Sequence, residues 1–431
     1  MTFMKLGRLV VSLASTLGIT GLALAADWPQ WRGPNRDGIS EEKHLLKEWP
    51  KAGPKLLWKF DKAGTGHGSV SVAKGFVYLM GSDDVDTGKD EYVLCLNEKT
   101  GKEVWKHALG TTDGKYNFGY GNGPRGTPTV DGDKLYVLGA KGDLVCLNTK
   151  DGSPVWNKNL VKDFGGGIPT WGYAESPLID GDKVVLTPGG GKGAVVALNK
   201  TTGETIWACK ELKDGAGYSS IIIADVDGVK QYIQQSMESS FGVRASDGKL
   251  LWQQKNLGRR TAVIPTPVYY DHHVFCTTGY QVGCELIKLS KDGDGTKAEK
   301  VYANKAMINH HGGVVRVNDK IYGFNDKGGI WECLDFLKES EEPVWSSKKL
   351  GKGCITYANG NFILQAEDKG TIVMIEASPK GWIEKGRFEL PQLTSLAHKG
   401  GKNWPHPVVA NGKLFVRNYD LIYCYDISGT N

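Results

Sequence analysis

YVLCLNEKTGKEVW, Tyr92 to Trp105, is followed 51 residues later by DLVCLNTKDGSPVW, Asp143 to Trp156, and after 51 more by AVVALNKTTGETIW, Ala194 to Trp207. Each copy alternates apolar and polar residues, turns at a Thr-Gly or Asp-Gly pair and closes on a Trp. Alternation with a period of two, bounded by glycine turns, indicates antiparallel strands joined as a meander. The repeated segment therefore predicts a series of similar β units.

Each unit also has an earlier half, which opens at a Ser-Pro or Thr-Pro pair, as at Thr127 and Ser176, and turns at Asp-Gly-Asp, as at Asp131 and Asp180. The two halves together make four short strands. The chain carries 58 Gly and 13 Trp among 431 residues, which suits many short strands joined by tight turns. Four-stranded units at this spacing are typical of propeller blades.

The closing Trp gives the number of blades. It recurs at Trp58, Trp105, Trp156, Trp207, Trp252 and Trp345. Degenerate copies end near residues 300–304 and 386–390, and the last copy stops before its fourth strand. The segment PKLLWKF, residues 54–60, can supply that strand from the other end of the chain. We therefore predict an all-β, eight-bladed β-propeller of four-stranded antiparallel blades, closed where an N-terminal strand joins the C-terminal blade.

The first residues predict export. Lys5 and Arg8 precede an apolar run over residues 9–24 that ends in Ala-Leu-Ala. This pattern is typical of a secretory signal, cleaved here before Ala26, and the run is too short for a membrane span. No Cys follows the cleavage point, so a lipid anchor is not expected. We expect a signal peptide over 1–25, an N-terminal arm over 26–53 and one propeller domain over 54–431, in a periplasmic or extracellular protein.

Charge excludes one class of partner. The formal net charge is +5, and the predicted signal contributes Lys5 and Arg8 without any acid, which leaves about +3. This excess is too small to favour nucleic acid or a membrane surface. We expect no nucleic-acid partner and no transmembrane segment.

The eight cysteines are predicted to be free structural thiols. Cys95, Cys146, Cys333 and Cys424 occupy one position of the repeat, and Ala197 fills that position in another copy. A position shared by Cys and Ala is a small buried one. Only Cys276 and Cys284 could face each other across one hairpin, and a disulfide there stays open.

The stretch ADWPQWRGPNRDGIS, residues 26–40, precedes the first blade. DWPQWRGPNRDG followed by blades with G-x-L-x-A-L-N-x-x-T-G-x-x-x-W resembles the PQQ-like propeller repeat proteins, named for pyrroloquinoline quinone, over nearly the whole mature chain. These are exported bacterial proteins, abundant in planctomycetes, and the superfamily includes quinoprotein alcohol dehydrogenases and the assembly factor BamB. From the residues themselves, we expect Trp28 and Trp31 to pack onto the ring and seal it.

One face of the ring carries the candidate site. In a propeller, the crossings from the outermost strand D to the next innermost strand A lie on the same face as the turns between strands B and C. These crossings are long and unlike one another here, so we expect their side chains to converge on the channel mouth as a ligand-binding surface. The candidates are His67, Tyr120, Asn122, Arg125, Trp171, Tyr173, Glu175, Tyr218, Arg259, Arg260, His310, His311, Trp404 and His406. They could instead plug the channel and bond to strand ends.

Two further features of the sequence are candidates for metal binding or for acid–base catalysis. His310-His311 could supply a metal ligand or a general base, although neighbours on a strand point to opposite faces, so at most one should face the channel. The acidic turn over residues 83–91 could hold Ca²⁺ or be a solvated turn. Its weak candidate ligands are Asp84, Asp86, Asp90 and Glu91.

Two functions follow from the resemblance. The first is a BamB-like binding module, a monomer that holds a small molecule, peptide, glycan or envelope protein at the channel mouth. The alternative is a quinoprotein dehydrogenase that uses PQQ and Ca²⁺ to oxidise an alcohol or sugar, with arginines and aromatic rings around the cofactor. The vicinal Cys pair typical of those enzymes and a haem-binding C-x-x-C-H are both absent from the chain. We therefore favour the binding module, and assign no catalytic residue.

Overall fold

Thirty-three strands make up eight separate sheets in the computed structural model. The structure describes residues 26–83, 90–110, 115–117, 119–121, 123–257, 262–396 and 401–429, so the predicted signal peptide lies outside it. Within these ranges there is no helix, and hence none long and apolar enough to cross a membrane. The predicted all-β, eight-bladed propeller is confirmed.

The strands are numbered in chain order. The first half comprises β1 Ile39–Ser40, β2 Lys55–Phe60, β3 Ser71–Ala73, β4 Phe76–Ser82, β5 Glu91–Asn97, β6 Glu103–Ala108, β7 Thr129–Asp131, β8 Lys134–Leu138, β9 Asp143–Asn148, β10 Pro154–Asn159, β11 Leu178–Asp180, β12 Lys183–Leu186, β13 Val196–Asn199, β14 Thr205–Ala208, β15 Ile222–Val226, β16 Val229–Gln235, β17 Ser240–Arg244 and β18 Leu250–Gln254. The second half comprises β19 Val268–Tyr270, β20 His273–Thr278, β21 Gly283–Asp292, β22 Gly295–Asn304, β23 Val314–Val317, β24 Lys320–Asn325, β25 Ile330–Asp335, β26 Trp345–Ser347, β27 Gly353–Ala358, β28 Asn361–Ala366, β29 Thr371–Glu376, β30 Glu384–Glu389, β31 Val408–Ala410, β32 Lys413–Asn418 and β33 Leu421–Asp426.

Each blade is a four-stranded antiparallel meander, with blade 1 formed by β3–β6 and the next six blades by successive groups of four strands up to β30. Blade 8 combines β31, β32 and β33 with β2 from the other end of the chain, and Lys55 lies opposite Asp426 in that pairing. The first strands of neighbouring blades pack against each other, as β3 does with β7. The predicted closure of the ring is therefore confirmed.

At four joints between blades, the closing Trp of one blade packs on a glycine of the next, which explains why these copies of the repeat need both. Gly152 has a φ of +71°, and a Cβ placed there would lie 2.6 Å from the Trp105 ring. The indole Nε1 of Trp105 donates to the Thr149 carbonyl of the same turn, at 3.0 Å. The joint between Trp58 and Gly101 repeats this arrangement. Each joint ties the outer edge of one blade to its neighbour.

A β-bulge precedes this Trp in most of the outermost strands. In blade 1 the bulge falls at Val104, because Trp105 pairs with Cys95 while Glu103 pairs with Leu96. Equivalent register shifts occur in blades 2, 3, 4, 5, 7 and 8. A bulge disrupts the row of backbone groups that an edge strand would offer to another chain. The bulges therefore reduce the capacity of the exposed outermost strands to pair with another chain.

The first part of the N-terminal arm, residues 26–40, lies inside the channel, since it contacts the innermost strand of every blade or the residues entering that strand. Residues further along the arm leave the channel, because the Trp49 amide donates to the Lys385 carbonyl in the outermost strand of blade 7. Backbone bonds join Trp28 to Val72 and Pro29 to Val130, and β1 pairs in parallel with β27. The remaining contacts use arm side chains. Their partners are Ser176, Pro177 and Ile221 for Arg36, Thr266 for Trp31, Val314 for Arg32 and Val409 for Ser40. Trp28 and Trp31, which we expected to pack onto the ring and seal it, both belong to the segment that plugs the channel.

Two buried arginines hold this plug. Arg36 donates to the Ile221 carbonyl at 2.9 Å and the Ser176 carbonyl at 3.0 Å, and Arg32 donates to the Val314 carbonyl at 2.6 Å. Burial lowers the pKa of each guanidinium to about 10. A buried charge is costly unless hydrogen bonds offset the cost, and here backbone carbonyls at the inner strands accept hydrogen bonds from both guanidinium groups.

All eight cysteines are free and buried, as predicted. Cys276 lies opposite Glu285 and Cys284 lies opposite Thr277 in the β20–β21 pairing. Because successive residues of a strand point to opposite faces, the two thiols lie on opposite sides of the blade. They pack in different hydrophobic clusters, which leaves no disulfide between them.

We predict that Gly152→Ala destabilises the protein by about 1–3 kcal/mol more than Gly132→Ala, because a methyl group at 152 overpacks the Trp105 ring. Gly132 is the matched control, since its φ of +61° is also positive but no atom lies within 4 Å of a Cβ there. Urea unfolding of both variants measures the difference. Equal losses of stability would contradict the joint.

Candidate functional site

The plugged channel leaves a cavity of about 320 Å³ at one end, which we call the cup. Trp31 of the arm closes it from inside, and its Nε1 is fixed by the Thr266 hydroxyl at 2.8 Å. The residues lining the cup are Trp31, His67, Tyr120, Arg125, Trp171, Ala174, Tyr218, Ser220, Ala262, Ile264, Tyr280, His310, His311, Lys352, Glu367, Lys402 and Trp404. Most belong to the crossings between blades, so the cup opens on the face that the sequence indicated.

The structure brings many of the predicted site residues together at the cup. These are His67, Tyr120, Arg125, Trp171, Tyr218, His310, His311 and Trp404. Tyr173, Glu175 and His406 are buried behind it: Tyr173 donates to the Pro188 carbonyl at 2.9 Å, and Glu175 accepts from the Thr187 amide at 2.7 Å. These three have structural partners. Asn122, Arg259 and Arg260 lie outside the described residues.

Sequence reasoning missed several lining residues. Tyr280 and Glu367 come from turns between strands B and C, of blades 5 and 7, which share this face but were not searched for candidates. Lys352 and Lys402 lie in the crossings themselves, where a lone lysine resembles an ordinary surface residue. Trp31 was assigned only a sealing role, and it also forms the inner wall of the cup. Treating the B–C turns like the crossings would have found the first two.

A column of rings forms one wall of the cup. Trp404 stacks on His311 with centroids 4.3 Å apart, and His311 contacts His310 at 3.6 Å. Tyr280 meets His310 edge-on at 4.8 Å. The expectation that only one histidine of the pair faces the channel is wrong. Both line the cup, because residues 310–311 lie in the crossing before β23, where the alternation of a strand does not apply.

His310 is held as a neutral hydrogen-bond donor. Its Nδ1 lies 2.8 Å from the Lys352 ammonium, and Lys352 in turn pairs with Asp326 at 2.8 Å. Burial and the charge of Lys352 lower the pKa of His310 to about 3. Since an ammonium can only donate, Nδ1 accepts and the ring proton resides on Nε2.

The other two histidines of the cup are also neutral. Burial, followed by the charge of Arg125, holds the pKa of His67 well below its usual value. The pKa of His311 is likewise held low by burial and the neighbouring His310. Neither ring nitrogen of His67 has a hydrogen-bond partner of good geometry among the described residues.

Arg125 is the cation of the cup without a carboxylate partner within 4.0 Å in the described part of the chain. Its Nε donates to the Trp171 carbonyl at 2.8 Å and its Nη2 to the Gly121 carbonyl at 3.0 Å. Lys352 and Lys402 differ, since each forms an ion pair, with Asp326 and Asp368 respectively. A guanidinium bonded only to carbonyls keeps its full charge toward the cup.

Glu367 supplies the carboxylate among the lining residues. It accepts from the Trp404 Nε1 at 3.2 Å, and burial raises its pKa. The lining residues therefore carry three cationic side chains against one acid, between aromatic walls. Such a cavity suits an anion attached to an apolar body.

The described residues do not fit the PQQ and Ca²⁺ pair. Ca²⁺ takes about six to eight oxygen ligands, and no group of three His, Cys, Asp or Glu side chains is placed to hold a metal in the ranges that the structure covers. Among the described lining residues, Arg125 is the single guanidinium, and it matches poorly a cofactor with three carboxylates. No oxidation step can be derived from these residues.

The acidic turn gives a partial result, because Asp84 and Asp86 lie outside the described residues. Glu91 points inward and accepts from the Ala140 amide at 2.9 Å. Asp90 adopts a positive φ of 58° at the start of β5. The inward orientation of Glu91 separates its carboxylate from the exposed turn.

The comparisons with known proteins agree with this architecture. A family model described as the outer membrane protein assembly factor BamB matches residues 89–336, more than half of the chain. BamB of Kangiella koreensis is 23% identical over 220 residues, which are 49% of this chain and 48% of that protein, so the match spans about half of the relative's length.

Two solved structures share the fold. BamB of Moraxella catarrhalis has a TM-score of 0.59 at 13% identity, covering 88% of this chain and 99% of that one. A quinohemoprotein alcohol dehydrogenase of Pseudomonas putida has a TM-score of 0.52 at 12% identity, covering 94% of this chain and 81% of that one. At these identities the likeness concerns the fold alone.

We predict that His406→Gln flattens the pH dependence of the unfolding free energy by about 1.4 kcal/mol per pH unit between roughly pH 6 and 4. Burial and the charge of Arg32 lower the pKa of His406 to about 3 in the folded state. Below its usual pKa of about 6.5, the unfolded chain therefore binds a proton that the folded one does not, and stability falls as the pH falls.

Urea unfolding of both proteins at several pH values measures this slope. Glu91 and Glu175, whose pKa values burial raises to about 7, titrate in both proteins and cancel in the difference. Above about pH 7.5 the two curves should run parallel, which is the internal control. Parallel curves below pH 6 as well would contradict the assignment.

Proposed function

The chain belongs to the family of the outer membrane protein assembly factor BamB, and on that premise we propose that it is an exported binding module that uses the cup to hold its ligand or partner. One observation carries the proposal: the arm closes the channel and leaves a concave, aromatic and cationic cavity at a single face. A propeller that served only as a stable scaffold would not require an unpaired guanidinium beside stacked aromatic side chains. Binding sites commonly combine apolar walls with a few fixed polar groups.

Export is part of this proposal. It is supported by the secretory pattern over residues 1–25 and by the similarity to BamB proteins, which are named as assembly factors of outer membrane proteins. The proteins with which those relatives assemble are not assigned to this chain, because the matches span only part of the relatives' length. A fold shared with a quinohemoprotein alcohol dehydrogenase likewise transfers no activity to this chain.

We predict that a photo-crosslinking residue at the rim of the cup captures the partner. Tyr120→p-benzoylphenylalanine places the probe at the rim, where Tyr120 is 48% exposed. Tyr270, at the end of β19 on the opposite face, is 45% exposed and provides the matched control. The full-length variants are expressed in cells, irradiated, purified and analysed by mass spectrometry.

The expected result is an adduct of defined mass from position 120 and none from position 270. This readout does not depend on the chemistry of the partner, which can be a small molecule or a protein. No adduct from position 120, or equal adducts from both positions, would contradict a function located at the cup.

A further inference from the structure

Among the described residues that line the cup, one cation lacks an acidic partner and can pair with an anionic group of a ligand. Lys352 forms an ion pair with Asp326, and Lys402 forms one with Asp368. Arg125 instead donates hydrogen bonds from its Nε and Nη2 to backbone carbonyls. Its Nη1 makes no hydrogen bond with any described residue. A carboxylate is one of the anionic groups with which a guanidinium forms strong, charge-assisted hydrogen bonds.

A second donor lies beside the paired lysine Lys352. His310 keeps its proton on Nε2, because Lys352 donates to its Nδ1 at 2.8 Å. No described residue accepts a hydrogen bond from that Nε2. The cup thus offers a charged donor, Arg125, and a neutral donor, His310, to the same small volume.

The remaining lining residues indicate what kind of molecule carries the anionic group. Tyr120 and Trp171 contact each other at 5.4 Å, and Trp31 covers the inner end. Ala262 and Ile264 add small apolar surfaces to the lining. Flat rings and short aliphatic side chains together suit an aromatic ring with a short stem.

The shape adds a further restriction. The arm contacts all eight inner strands, so a ligand cannot pass through the ring. A volume of about 320 Å³ is at the small end for a ligand site. A small molecule, or the last residue of a longer chain, fits a cavity of this size that is closed at its inner end.

We propose that the cup binds a single carboxylate carried on an aromatic body, with Arg125 as its anchor and Trp31 beneath the ring. The proposal rests on the proposed function and names its ligand class. That chemistry has two sources, a free aromatic acid and a polypeptide whose C-terminal residue is aromatic. Both present the same group to Arg125, and the experiment separates them.

Isothermal titration of residues 26–431 with four probes tests this directly. The probes are 3-phenylpropionate, N-acetylphenylalanine, N-acetylphenylalaninamide and the peptide N-acetyl-Gly-Gly-Gly-Phe with a free carboxylate. We expect the amide to bind at least about tenfold more weakly than N-acetylphenylalanine, because it lacks the charge that Arg125 recognises. Tighter binding of the peptide than of 3-phenylpropionate indicates a polypeptide terminus, and the reverse order indicates a free acid.

Variants then locate the anchor. Arg125→Gln should weaken N-acetylphenylalanine binding at least about tenfold, and Arg125→Lys should restore part of it, since a point charge remains. Arg316→Gln is the matched control and should change the affinity less than about twofold. Arg316 stacks on Tyr270 at 3.6 Å, on the opposite face, and its loss alters the net charge equally.

The comparison of acid with amide uses the unaltered protein, so it stands even where an Arg125 variant folds poorly. Equal affinities for acid and amide, or no binding of any probe, would overturn the proposal. If a rim crosslink forms at Tyr120 while acid and amide bind equally, the cup is a binding site for another chemistry. Absence of both the crosslink and probe binding contradicts the proposed function as well.

Discussion

The packing of a tryptophan on a neighbouring glycine is the interaction on which the molecule depends. Trp105 can reach the turn of the next blade only because Gly152 has no side chain and adopts a positive φ. The indole N–H then bonds to the same turn, which fixes the angle between two blades. The same joint occurs at four of the contacts between blades, and the pairing of β2 with β33 closes the ring around a channel.

The arm turns that channel into a cup. Its arginines would be costly to bury alone, but the carbonyls of the inner strands accept their hydrogen bonds. Trp31 follows from the same placement, since the plug positions one face of its ring toward the cavity. Ring and plug therefore act together, the first providing the walls and the second the closed end. The cationic, aromatic character of the site then comes from crossings that are free to vary.

The fold could be predicted because strand alternation, glycine turns and the closing Trp are local signals repeated along the chain. Even β2 could be assigned to the last blade, since that blade lacked a fourth strand. The site was harder, because it depends on which segments meet in space. His310 and His311 were treated as strand residues although they precede β23, and Tyr280 and Glu367 lie in turns of ordinary appearance. That Trp31 faces a cavity could not be read from the arm alone, since its neighbours come from distant crossings.

Hydrogen–deuterium exchange of the arm tests the central claim, that residues 26–40 plug the channel and form the closed end of the cup. The amides of Trp28 and Gly38 donate to backbone carbonyls, as do those of the inner strands. The account predicts that peptides covering residues 27–40 exchange as slowly as β27, which β1 pairs with. Exchange of the arm at the rate of an unstructured segment would contradict it, because the channel would then be open and the cup would have no inner wall.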